Sequence, residues 1–326
     1  MNVYRRAIRQ TIRQSRLRTT TQATSVHARN MTTTIFKHID QSTYTGKPWT
    51  KVDGPGSAFK LKDYHRTVHN IRGKEQDFDT DRSGFAVYND PSKEKTFTDD
   101  AAVRSGYYQE VEAMLRKRLP GVKKVTIFDH TIRRRTKDAP RQPVQQVHVD
   151  QSPDAAAVRV RRHLPAEEAE ELLKGRYQII NVWRPIENPA SDFPLAVIDW
   201  RSTSPSDFVP VDLMYPKRDS MIDDGDERGK EKLADEATLF STEGYEVKGE
   251  TLGVTANEAH KFYYMKDMTP DEVMLLKCFD SRGEGMPGGI DGLAVRTPHT
   301  AFIDPNTPED APGRQSIEVR CLIFYE

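Results

Sequence analysis

From Tyr177 to the C-terminus the chain is written mostly in strand-length apolar runs, and this confines it to a sheet-rich fold. The runs are Tyr177–Arg184, Leu195–Trp200, the region around His260–Tyr264, Val273–Phe279 and Ile317–Tyr325. Long irregular connections separate them and helices are few, the pattern of a β-barrel or sandwich with flanking helices. No Gly-rich loop joins a strand to a helix, so a dinucleotide-binding α/β fold is excluded. One helix is expected after Thr98 as N-cap, with Asp99 and Asp100 in its first turn. Val103, Tyr107, Val111, Met114 and Leu115 form its apolar stripe, and Pro120-Gly121 stops it. A strand, Lys124–Phe128, follows and leads into Asp129-His130. A second helix is expected from Pro165 to Lys174, with Pro165 at its first position. Residues 32–97 are polar and interrupted by Pro48, Pro55 and Pro91, which suits short edge strands and loops wrapping a core.

Charge divides the chain unevenly. Eight of the 49 basic residues and none of the 49 acids lie in residues 1–39, which leaves the rest with a net charge of about −8. A body of that sign is a poor partner for nucleic acid, which requires a concentrated positive surface. No stretch approaches the roughly 18 apolar residues of a membrane span. Cys278 and Cys321 cannot form a disulfide framework, which points to a reducing compartment. Within residues 1–30, Arg5, Arg9, Arg13 and Arg16 stand at helical spacing beside Tyr4, Ile8 and Ile12. The segment reads either as a mitochondrial presequence or as an upstream extension before a start at Met31. Three parts are therefore expected: the excluded residues 1–30, a wrapping segment 31–97, and a main domain 98–326. The compartment is the cytoplasm, or the mitochondrial matrix if residues 1–30 are a true presequence.

The feature that carries chemistry is His148-Val149-Asp150. On a strand, alternation places both polar side chains on one face, where they can grip one metal from adjacent corners. A facial triad needs one more histidine and leaves positions open for a co-substrate and oxygen. His299, 149 residues beyond Asp150, is the candidate. About one His-x-acid pair is expected by chance in such a composition, and a second, His38-Ile39-Asp40, reads as incidental. Downstream, Arg314, Ser316, Glu318 and Arg320 share one strand face; Ile317, Val319, Cys321 and Ile323 share the other. Arg314 and Ser316 stand 15 and 17 residues after His299 and suit a carboxylate clamp, with Arg320 in reserve. The competing reading is a solvated face of Arg–Glu pairs. His65 and His69, at i,i+4, lack the apolar stripe of a helix. Asp271-Glu272 after Thr269-Pro270 read as a capped turn.

Four ordered motifs together resemble the AsaB-like hydroxylase/desaturase family of fungi: His148–Ser152, Tyr177–Pro185, Thr297–Phe302 and Ser316–Arg320. The likeness runs from about residue 95 to the C-terminus. It implies a double-stranded β-helix (jelly-roll) core and an Fe(II)/2-oxoglutarate-dependent dioxygenase, often in secondary metabolism. Such an enzyme uses O2 to hydroxylate, desaturate or oxidatively cyclise a small molecule. His148, Asp150 and His299 match the iron ligands, and Arg314 is the choice for the 2-oxoglutarate carboxylate. Asn181, Trp183 and Arg184 match a family motif and are candidates for substrate contact, although alternation turns Arg184 away from the other two. Asp129-His130 match the family near the first core strand and suit structural hydrogen bonding. Two alternatives remain open: a non-catalytic small-molecule-binding barrel, and a cupin-like metalloenzyme that does not use 2-oxoglutarate.

Overall fold

A computed structural model describes residues 31–52, 56–135, 143–218 and 239–325. Residues 1–30, on which the presequence reading rests, lie outside them. Among the described residues the strands fall into two sheets. The larger has nine, in spatial order β1 (Met31–Asp40), β3 (Lys60–Asn70), β11 (Phe262–Tyr264), β8 (Leu195–Ile198), β13 (His299–Ala301), β6 (His148–Val149), β10 (Tyr245–Val254), β9 (Phe208–Pro216) and β2 (Trp49–Lys51). The smaller has five: β4 (Phe85–Asn89), β12 (Glu272–Asp280), β7 (Tyr177–Pro185), β14 (Gln315–Tyr325) and β5 (Val122–Arg134). All pairings are antiparallel except β3–β11 and β2–β9. The mainly-β expectation holds.

The larger sheet curls until β1 reaches strands far from it in sheet order. Val147 N donates to Lys37 O, and His38 Nδ1 meets Val254 O at 3.1 Å. Phe36 and Val68 then cover Val149, Ala196, Ile198, Leu252 and Val254, so His148 stands on the opposite face. That face looks onto the five-stranded sheet. The outer face of the smaller sheet is closed by α1 (Asp100–Ala102), a π turn (Val103–Tyr107) and α2 (Tyr108–Arg118). The apolar stripe read from the sequence is buried there against Ile317, Val319, Cys321 and Ile323. At one end α3 (Pro153–His163) and α4 (Ala166–Leu172) insert Ala156, Val160 and Ala169 against Ile179, Leu322 and Phe324.

Several local expectations are corrected. The first helix is capped by Asp99, not Thr98: the Asp99 carboxylate accepts from Ala101 and Ala102 N. The helix at 165 begins at Ala166 with Pro165 as its cap, and α3 before it was not expected. Strands β1 and β3 are ten and eleven residues long rather than short, since they pair antiparallel along the whole of β1, whose residues mostly alternate between exposed and buried. Strands β9 and β10 were likewise not expected. Glu272 does cap its turn, accepting from Thr269 N at 2.8 Å, and also pairs with Arg72.

Candidate metal centre

Each member of the triad is aimed by its strand. In β6, Val149 turns into the outer core and His148 turns inward; Asp150 continues the alternation just past the strand end. Ser152 immediately caps α3, accepting from Ala155 N at 3.1 Å, which fixes the chain leaving Asp150. His299 opens β13 directly opposite His148, and the two rings lie 4.5 Å apart. Gly84 secures the approach to His299. At φ +86° it lies so close to residues 296–297 that a Cβ would sit 2.9 Å from Arg296 O. Its carbonyl accepts from the Thr297 hydroxyl.

The two imidazoles are held in the same way. His148 Nδ1 is 2.7 Å from Gln146 O and His299 Nδ1 is 3.1 Å from Thr297 O. Donation to a carbonyl leaves each Nε2 with its lone pair turned inward, the tautomer a metal ligand needs. Both Nε2 atoms face Asp150 Oδ1, at 3.3 and 3.6 Å. One ligand atom from each of the three residues falls within 4.8 Å of the others. Asn181 Nδ2 donates to the other carboxylate oxygen at 2.6 Å. Burial alone would raise the Asp150 carboxyl, but the adjoining His148 and His299 imidazoles, wherever they take up a proton, hold it well below the usual range. Burial likewise opposes charge on His299, and Asp150 outweighs it, so that imidazole is raised.

Around the triad is a cavity of about 50 Å³, lined also by Arg133, Trp183, Leu195, Arg314 and Glu318. This is room for an ion and a few small ligands. The β14 alternation therefore holds: Arg314 and Glu318 face inward. Arg314 is buried, its Nη1 donating to Phe193 O at 2.7 Å, and its guanidinium stands over Trp183 at 5.7 Å. Burial, with the like charge of Arg133, lowers it to about 9. Burial and the nearby Asp150 charge raise the Glu318 carboxyl.

Other candidates fall elsewhere. Ser316 is buried on the same face but does not line the cavity. Arg320 is engaged by Asp129 at 2.7 Å and by Thr131 at 2.9 Å. Arg184 projects from the opposite face of β7 and is not a cavity residue: its Nε donates to Tyr107 and its Nη1 to Pro270 O. His130 bonds Tyr108 at 2.8 Å, the structural role expected. His65 and His69 lie on β3, where four residues span roughly 13 Å, too far to share an ion. His38-Ile39-Asp40 is incidental as a metal motif, being outside the triad, and the His38 ring is instead fully buried beside His260 and Phe262. Sequence reasoning missed Arg133, one of three consecutive arginines, because nothing in Arg133-Arg134-Arg135 says which faces inward. Glu318 was placed on the correct face without a role.

A family model described as "Oxidoreductase/YMDC permease-like domain" matches residues 34–324. Hydroxylase/desaturase efuI of Hormonema carpetanum is 33% identical over 275 residues, covering 79% of this chain and 83% of its own. Hydroxylase/desaturase asaB of Aspergillus flavus is 38% identical over 176 residues, 53% of this chain and 66% of its own. The chain belongs to the AsaB-like family of fungal hydroxylase/desaturases. The fold of this family member is similar to a solved structure of the iron and alpha-ketoglutarate-dependent endoperoxidase NvfI, with a TM-score of 0.72 and 26% identity, covering 92% of this chain and 99% of that one. Among the described residues no helix is long and apolar enough to cross a membrane.

Proposed function

We infer that this family member is an Fe(II)/2-oxoglutarate-dependent oxygenase that uses O2 to oxidise a C–H bond of a small molecule of secondary metabolism. The observation that carries it is the inward convergence of two imidazole Nε2 atoms and one carboxylate within 4.8 Å, each imidazole oriented by a backbone carbonyl. Two nitrogens and one oxygen on a single face are the donor set of non-haem Fe(II) sites with open positions. His148, Asp150 and His299 would hold the metal. When bound, iron and 2-oxoglutarate supply the oxidising chemistry, the oxoacid ending as succinate and CO2.

The chain's own residues set the frame. Asn181 steadies the Asp150 carboxylate, Gln146 and Thr297 fix the imidazoles, and Arg314 offers a cation for the distal carboxylate of the co-substrate. Trp183 forms part of the wall that excludes water. A separate cleft of about 410 Å³, which shares no lining residue with the triad cavity, lies beside Gln151 between α3 and the β9–β10 ribbon. The curled sheet facing a five-stranded one, together with the likeness to NvfI, supports a double-stranded β-helix core spanning 98–326, wrapped by 31–97. The negative body argues against nucleic acid, and two buried free cysteines suit the cytoplasm.

The test is anaerobic titration with Fe(II), followed by succinate assay. About one Fe(II) per chain is expected, and His148→Ala, Asp150→Ala and His299→Ala should each lose it and all turnover. Full activity in any of the three removes that residue from the site. Metal-dependent turnover without succinate would favour the cupin-like alternative.

A further inference from the structure

We propose that Arg133 is a second anchor for the distal carboxylate of 2-oxoglutarate, so that the clamp is Arg133 with Arg314 rather than Arg314 with Ser316. The proposal rests on the oxygenase reading above. Strands β5 and β14 pair so that Arg133 stands opposite Ser316 and Thr131 opposite Glu318. Directly paired residues of an antiparallel sheet point to the same side, so Arg133 faces the triad. It lines the same cavity as Arg314, His148, Asp150 and His299, whereas Ser316 does not.

Two guanidinium groups inside one small cavity repel each other, and the positive charge of Arg133 does act on Arg314. Arg314 is only 3% exposed, and its Nε is buried without a partner. A buried cation with an unanswered donor is costly unless an anion completes it. The wall gives the Arg314 Nε no hydrogen bond. Asp192 Oδ2 meets the Arg314 backbone N at 3.1 Å and Arg135 at 2.8 Å. Glu318 offers one carboxylate, and its charge interacts with both Arg314 and Arg133. Arg320, whose Nε also lacks a well-directed hydrogen bond, differs in having the Asp129 carboxylate 2.7 Å away and the Thr131 hydroxyl at 2.9 Å. A dicarboxylate with its 2-oxo-acid end on the metal would direct its far carboxylate to the two arginines. Two planar forks can share its oxygens.

The test is binding rather than turnover. Mn(II)-loaded protein, free of oxygen, is titrated calorimetrically with 2-oxoglutarate and with 2-oxobutanoate, which keeps the chelating end and lacks the distal carboxylate. Arg133→Ala should weaken 2-oxoglutarate at least about tenfold and leave 2-oxobutanoate unchanged. Arg133→Lys keeps the charge and should fall between. The double variant with Arg314→Ala should lose less than the product of the single losses, since both grip one group. Wild-type affinity for 2-oxoglutarate in Arg133→Ala overturns the proposal, as does equal weakening of both acids, which would mean a damaged metal site. Failure of the wild-type protein itself to bind 2-oxoglutarate overturns the oxygenase reading and this inference with it.

Discussion

Asn181 shows what a single side chain adds to a site whose ligands are already chosen. Its Nδ2 holds the Asp150 oxygen that faces away from the histidines, while its own Oδ1 is buried without a partner. An unsatisfied buried oxygen costs about 1–3 kcal/mol, so the residue is a poor choice for stability and a good one for aiming a carboxylate. Asn181→Leu is therefore expected to weaken metal binding about tenfold to a hundredfold, the usual effect of losing a ligand's supporting bond, while the protein still melts cooperatively. Metal titration beside a thermal melt checks it; unchanged affinity would show that Asp150 orients itself. The ligands were legible from spacing and alternation, and alternation also separated Arg184 from Asn181 and Trp183. The partner of Asn181 was not, because a contact 31 residues away and across two sheets leaves no local period. The burial of His38 was illegible for the same reason. Its neighbours His260 and Asp207 lie more than 160 residues off, and only the curl of the sheet brings them together.

At the scale of elements, that curl has a measurable consequence. Where β1 closes on β10 and β11, His38 is buried between Val254 O and the His260 ring, and His260 Nε2 meets Asp207 at 2.9 Å. Burial pushes the His38 imidazole down to about 4, with the nearby His260 and Arg66 charges acting in the same direction. The unfolded chain takes up a proton near 6.5, and the folded one does not until about 4. As pH falls through this window the unfolded state binds more protons, so stability present above pH 6.5 drains away and levels off below 4. The loss from His38 is on the order of 3 kcal/mol. Denaturant unfolding across that range should show it, and His38→Gln should flatten part of the slope; an unchanged slope would move the effect to another group. The strands involved were unevenly legible. Apolar runs such as β7 and β12 announce themselves, but β10 carries Lys248 at a bulge and two glycines. At one of these, Gly253, a Cβ would lie 3.2 Å from the Ile39 side chain, which would have to give way. Helix α3 buries only Ala156 and Val160, too few positions to set a visible stripe.

Over the whole molecule, the site depends on strands drawn from both ends of the described chain. His299 sits between β8 and β6, β8 is held by β11, and β11 runs parallel to β3 from the first seventy residues. The smaller sheet is bordered by β4, and Gly84 just before it steadies the Thr297 segment. Residues 31–97 thus contribute to both sheets. Two truncations separate what is wrapped from what is merely attached. A chain beginning at Met31 retains every described strand, and it should bind metal and melt like the full-length protein. A chain beginning at Thr98 would expose the edges of β11 and β12, leave Val149 and Leu252 without Phe36 and Val68, and remove Gly84 from behind His299. Uncovering apolar side chains costs about 1.5–3 kcal/mol for each one fully buried, and several lost together exceed the 5–15 kcal/mol that holds a typical domain. The shorter chain should therefore show no cooperative melt and bind no metal. Calorimetry with Mn(II) titration decides the point: a folded, metal-binding 98–326 would make the first strands an ornament of the fold, not a part of its core.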